Sequence, residues 1–203
     1  MAGEACAERP LFGGSISSTL PLRFQDVSNV RDVPDHQEAF VDPSRDESVI
    51  FELLDLKDEV GDEGSAGWFL RDLAAEQDAE GSMILEHTSA VEPSPLSHGG
   101  ISSTITTAVG QMVISKDRQG REAGNLLRVY LANLRLKGVG TDVLITVYEP
   151  IMINPLSESA MTVSTGPAIP AAQSGLLPAS EIFSLAVTGF KVNDWNLFGT
   201  TGA

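Results

Sequence analysis

Residues 26–60 read DVSNVRDVPDHQEAFVDPSRDESVIFELLDLKDEV, and the fold depends on how this stretch divides. Asp26–Arg31 suits one helical turn capped by Asp26. Val33-Pro34-Asp35 forces extended or turned backbone, because the residue before proline is pushed out of the helical region. Gln37–Val41 then reads as a short strand. Beyond it the pattern predicts a helix. Asp46 or Ser48 can accept the first unpaired N–H groups. Val49, Ile50, Leu53, Leu54, Leu56 and Val60 recur at the three- and four-residue steps of one buried face. Glu52, Asp55 and Glu59 would stand in a row on the opposite face. There Asp55 and Glu59 sit i,i+4 as like charges, at a cost of a few tenths of a kcal/mol. An ordinary solvated surface is the better reading of one such helix, and the acidic turn before it raises the alternative of a binding ridge.

Toward the N-terminus, LFGGSISSTLP (11–21) reads as a short strand pair with a bend at Gly13-Gly14. Residues 1–10 are expected to form a disordered leader. Toward the C-terminus, 61–67 is a flexible connection, 68–77 a helix, 83–91 a strand and 92–100 a loop. Thr104–Ser115, Leu126–Leu136 and Val143–Tyr148 are β-branched or alternating, bounded by polar turns, and form an antiparallel meander. Leu127, Val129 and Leu131 alternate with Arg128 and Tyr130, which predicts one buried and one solvated face. Residues 150–178 are rich in Pro, Ser, Ala and Gly and read as an irregular excursion. A last helix fits 179–190, and 200–203 is a tail. The expectation is a single domain over 11–199 of class α+β.

The chain has 203 residues and a net charge of −15. Residues 1–63 carry 15 acidic against 5 basic residues, 64–93 carry 6 against 1, and 94–203 carry 7 of each. The excess therefore lies in the first 93 residues. Such a field repels nucleic acid and anionic membranes and steers basic protein surfaces inward. A single cysteine, Cys6, excludes an internal disulfide framework. No apolar run reaches membrane-spanning length, so no membrane insertion is expected. The acidic N-terminus has neither signal nor transit character.

Chemistry is poorly supported. His36, His87 and His98 lack paired spacing and there is no second cysteine, so no metal site and no cofactor are expected. No GxSxG elbow exists. Gly13-Gly14 lacks the further glycine and GK[ST] of a phosphate loop. An exposed pair such as Glu52 and Asp55 has no cleft to work in. Nothing demands an enzyme.

Leu11–Gly14, Ile16–Pro21, D-V-S-x-V-R-x-V-P-D-x-Q-E over Asp26–Glu38 and E-S-V-I-x-E-L-L-D over Glu47–Asp55 together resemble the Ran guanine-nucleotide release factor (Mog) family. Thr141-Asp142-Val143, Phe190–Asp194 and Leu197-Phe198 are similar to the family's penultimate strand and closing helix exit. The resemblance covers about 10–150 and 178–199, and V-P-D-x-Q-E is its most specific part. It implies a Mog/PsbP-like fold: a twisted antiparallel sheet of about six strands flanked by helices on both faces. It also implies binding of the GTPase Ran and release of its guanine nucleotide, in support of nucleocytoplasmic protein transport. Other nuclear transport factors are further implied partners, and nucleus and cytoplasm the compartments. Carried residue by residue, it implies partner-binding positions at Asp26, Arg31, Asp35, Glu38, Glu52 and Asp55. Asp26 and Asp35 serve equally well as caps and turn formers. A monomer is expected. The main alternative is an acidic interaction scaffold for another basic protein. A thylakoid PsbP-like protein would require the transit peptide this sequence lacks.

Overall fold

The computed structural model describes residues 3–91, 96–115 and 120–199. Its strands are β1 (Cys6–Leu11), β2 (Ile16–Pro21), β3 (Gln25–Asp26), β4 (Gln37–Asp42), β5 (Glu47–Asp55), β6 (Ile84–Val91), β7 (Ser97–His98), β8 (Ile101–Ser102), β9 (Thr104–Ile114), β10 (Asn125–Leu136), β11 (Thr141–Ile153), β12 (Gly166–Pro167) and β13 (Lys191–Val192). Two α-helices accompany them, α1 (Ser65–Glu76) and α2 (Ala179–Thr188). The main antiparallel sheet runs β3-β4-β5-β11-β10-β9-β6, with β12 paired to the end of β11. The order β1-β2-β13 makes a second, smaller sheet, and β7-β8 a minimal hairpin. The class is α+β, as expected.

Alternation along β10 shows how the layers meet. Tyr130, Ala132, Leu134 and Leu136 pack with Ile182, Phe183 and Ala186 of α2 and with Ile16 and Leu20 of β2. Leu127, Val129 and Leu131 pack with Phe69, Leu70 and Ala74 of α1. The two helices thus cover opposite faces. The expectation of one solvated face is therefore corrected, since Tyr130 is only 9% exposed.

The predicted helix over 46–60 is a strand. β5 pairs with β4 from Gln37↔Glu52 to Asp42↔Glu47 and with β11 from Thr141↔Asp55 to Tyr148↔Ser48. Asp46, expected as a helix cap, lies at φ 55° in the turn between β4 and β5. The Asp42 carboxylate accepts from Ser44 N at 2.9 Å and from its hydroxyl at 2.6 Å. Caps and turns use the same residue types, because both satisfy free backbone N–H groups with short polar side chains. A strand with apolar residues on both faces also mimics a helical stripe. Of three expected helices, the described residues hold two. α1 starts at Ser65, inside the expected connection, while α2 lies where it was expected. The leader is corrected too, for Cys6–Leu11 pairs along all of β2. Pro10 is tolerated because β1 is an edge strand. The tail 200–203 lies outside the described residues.

Two ionic clusters sit in the core. Arg135 is 2% exposed and Asp142 0%, and they meet through Nε and Oδ1 at 3.0 Å. Arg23 bridges Glu4, Asp42 and Glu47 at 2.7, 2.5 and 2.6 Å. Burial pushes the Asp42 carboxyl up, but hydrogen bonds from Ser44 and Arg23 outweigh it and hold the pKa below its ordinary 3.8. A depressed carboxylate adds stability that is present above the unfolded value and lost as pH falls through the folded one. Ser44→Ala should therefore cost about 1–2 kcal/mol near neutral pH. The gap from the parent should close as pH is lowered below about 4. Urea unfolding at a series of pH values measures this, and a gap unchanged down to pH 2 would refute it.

Candidate functional site

The stretch 26–38 folds back along the sheet edge. Asp26 Oδ1 accepts from Ser28 N at 2.8 Å and Ser28 Oγ at 2.6 Å. Val30 N and Arg31 N both donate to Val27 O at 2.9 Å, which closes the expected turn. Gln37 N donates to Pro34 O at 2.9 Å, so Pro34–Gln37 is a second turn, with Asp35 exposed on it. Leu53 N then donates to His36 O at 2.9 Å and extends the β4–β5 ladder by one residue.

This ladder fixes Glu52. Gln37 lies directly opposite it and donates Nε2–H to Glu52 Oε1 at 3.1 Å. His36 Nε2 approaches the same oxygen at 3.3 Å. The Glu52 side chain is 24% exposed. A carboxylate so held is fixed in direction near the surface, and Oε2 is engaged by neither neighbour. It suits a lysine or arginine from another molecule.

The expected ridge of Glu52, Asp55 and Glu59 does not exist. Strand side chains alternate, so Glu52 and Asp55, three residues apart, point to opposite faces. Glu52 shares the α1 face, whereas Asp55 is exposed at the ladder's end opposite Thr141. Glu59 lies in the turn beyond β5. Glu38 is drawn away as well. Its Oε1 accepts from Phe12 N at 2.7 Å, in a turn where Phe12 holds φ 49°. Of the six positions, the structure brings Asp35 and Glu52 to one end of the β4–β5 ladder, with Asp55 on its other face. Asp26 and Arg31 lie on the preceding turn, and Glu38 braces the first hairpin.

Other groups near Glu52 escaped the sequence reading. Burial pushes the Glu76 carboxyl up, and the carboxylates of Asp72 and Glu52 push it further. Burial likewise raises the Tyr148 hydroxyl, with Glu52 and Glu76 adding to it, so it stays protonated at neutral pH. The available signal was the like-charged pair Asp72 and Glu76 at i,i+4. Among the histidines, His98 stacks on Trp195 with ring centroids 4.3 Å apart. Among the described residues no group of three or more His, Cys, Asp or Glu side chains could hold a metal ion. There too, no helix is long and apolar enough to cross a membrane.

A family model described as "Ran-interacting Mog1 protein" matches residues 9–150. The Ran guanine nucleotide release factor of Danio rerio is 35% identical over 154 residues, spanning 75% of this chain and 82% of its own. The nuclear import protein mog1 of Schizosaccharomyces pombe is 27% identical over 143 residues, 70% of this chain and 75% of its own. The crystal structure of the Saccharomyces cerevisiae Ran-binding protein Mog1p superposes with a TM-score of 0.67 at 23% identity, over 97% of this chain and 100% of that one. That likeness is one of fold.

Proposed function

Because this chain belongs to the Ran-interacting Mog1 family, we propose that it binds the small GTPase Ran and promotes release of its guanine nucleotide in nuclear protein transport. One observation carries the choice of site: the Glu52 carboxylate, held by Gln37 and His36 on a strand of the main sheet. Asp35 lies at the same end of the β4–β5 ladder, and the exposed Asp26, Arg31 and Asp55, on the preceding turn and on the other face, would meet the partner only across the sheet edge. Glu38 contributes by bracing the hairpin rather than by contact. A surface of this kind would take basic residues of Ran that otherwise contact phosphate, or disturb the Mg²⁺ that the phosphates help to hold.

Release of this type needs no reacting group on the factor. It follows from tighter binding to nucleotide-free than to loaded Ran, since a ligand shifts an equilibrium only by its differential affinity. We read the protein as a non-enzymatic factor acting as a monomer, in both nucleus and cytoplasm, with other transport factors as further partners.

The test is release of a fluorescent guanine nucleotide from loaded Ran. The parent should accelerate release, and Glu52→Lys should cut the effect on the order of tenfold or more, about 1.4 kcal/mol per decade. Asp55→Lys is measured separately, because the two side chains lie on opposite faces of β5. If Glu52→Lys performs as the parent does, the site is misplaced. No acceleration by the parent, with no complex on a sizing column, would leave the acidic scaffold reading in its place.

A further inference from the structure

One oxygen of the Glu52 carboxylate is already approached from within the chain, by two neighbours of different kinds. Gln37 Nε2 donates to Oε1 at 3.1 Å, and His36 Nε2 stands 3.3 Å from the same oxygen. The backbone holds both in place. Leu53 N donates to His36 O at 2.9 Å, and Gln37 is the register partner of Glu52. An amide carries no charge at any pH, whereas an imidazole gains one between about pH 8 and pH 5. The His36 side chain is 51% exposed, so protons reach it freely.

The charges around His36 are mostly acidic. Asp35 precedes it on the same turn, and Arg31 and Asp32 lie exposed before that. From β5 comes Glu52 itself, with Asp55 on the other face, while β11 sets the uncharged Leu144 opposite Glu52. α1, on the same face of the sheet, ends in Glu76. Burial raises the Glu76 carboxyl, and the Asp72 and Glu52 carboxylates raise it further, so it too takes up a proton on acidification. The imidazole is nonetheless the group that changes from neutral to cationic within reach of Oε1.

We propose that His36 is a proton-controlled brake on Glu52. While the imidazole is neutral, its Nε2–H donates to Oε1 and the carboxylate keeps its full charge for a cation of Ran. Once protonated, the imidazolium pairs with Glu52 inside the chain and repels a second cation at the same carboxylate. Binding must then expel the proton or set two cations on one carboxylate. Affinity therefore falls as pH drops through the histidine range. The inference rests on the proposed Ran site and adds its regulation.

The experiment measures the affinity of the full chain for Ran, in one fixed nucleotide state and at constant ionic strength, at about pH 7.5 and about pH 5.5. His36→Gln keeps a hydrogen-bond donor but cannot be charged, and at the higher pH it should bind as the parent does. On acidification the parent should lose about two- to fivefold more affinity than His36→Gln, the worth of an exposed ion pair. Taking this difference removes the titration of Ran and of Glu76, which both proteins share. In a Glu52→Gln background, adding His36→Gln should leave the pH profile unchanged. If parent and His36→Gln lose affinity equally while Glu52→Lys weakens binding at the higher pH, the brake is absent and the Ran site stands. If Glu52→Lys binds normally there, both fail. A His36→Gln protein that is already several-fold weaker at the higher pH would make His36 a direct contact and overturn the brake. So would a pH profile that His36→Gln still alters in the Glu52→Gln background, since His36 would then act on Ran and not through Glu52.

Discussion

Asp142→Ala is expected to cost on the order of 3–5 kcal/mol of folding stability, because it takes the buried counter-ion from a buried guanidinium and leaves it only the partly exposed Asp62. For a chain of this length that corresponds to a fall in Tm of roughly 6–20 °C. The Asp142 carboxylate accepts from Arg135 Nε and from Asn133 Nδ2 at 3.0 Å each, and from Lys57 N at 2.8 Å. Arg135 in turn donates to Lys57 O, Val60 O and Asp62 Oδ1. The pair therefore anchors the connection between β5 and α1 to the centre of the sheet. Arg135→Met should be similarly costly, since it strands the carboxylate instead. The double variant should cost about 1–3 kcal/mol less than the sum of the two, the usual coupling for groups in direct contact. Denaturant unfolding of the four proteins measures this. Additive losses would mean that the two side chains do not act as a pair.

Arg23→Met is expected to cost about 3 kcal/mol, at the lower end for a broken buried pair. It removes one cation from three carboxylates whose side chains are 9%, 2% and 1% exposed. Arg45 still reaches Glu47 at 3.0 Å, and Ser44 still serves Asp42, which limits the loss. The effect should also be local. Glu4 accepts from Leu177 N at 2.8 Å, and Arg23 donates to Leu177 O at 3.2 Å. Amide exchange at Leu177 should therefore quicken more than exchange in β10. Equal acceleration at both places would show that the cluster contributes only to global stability.

Much of the architecture was legible in residue order. The strands of the meander, β4, β2 and α2 each carry a period and punctuation that only one element satisfies, whereas β1 lies where a disordered leader was expected. β5 failed that test. Its V-I-F-E-L-L run has apolar residues on both sides, so periods of 2 and 3.6 fit it equally well. The acidic stretch before it offers caps for a helix as readily as residues for a hairpin. The site followed the same division. The turn closed by Asp26 was readable because its hydrogen bonds are local. Glu38 was not, because its partner, Phe12 N, lies 26 positions away.

By itself the sequence determined the class, the acidic first half and most element positions, which rest on local periodicity, turn chemistry and composition, and the family, which rests on the resemblance of motifs such as V-P-D-x-Q-E. Only the tertiary structure decided that 47–55 is a strand, that Glu52 and Asp55 part to opposite faces, and that Gln37 and His36 hold the Glu52 carboxylate. The reason is pairing. A segment apolar on both sides takes its conformation from the ladders it joins, and those ladders are set by β4 and by β11, the latter some ninety residues away along the chain.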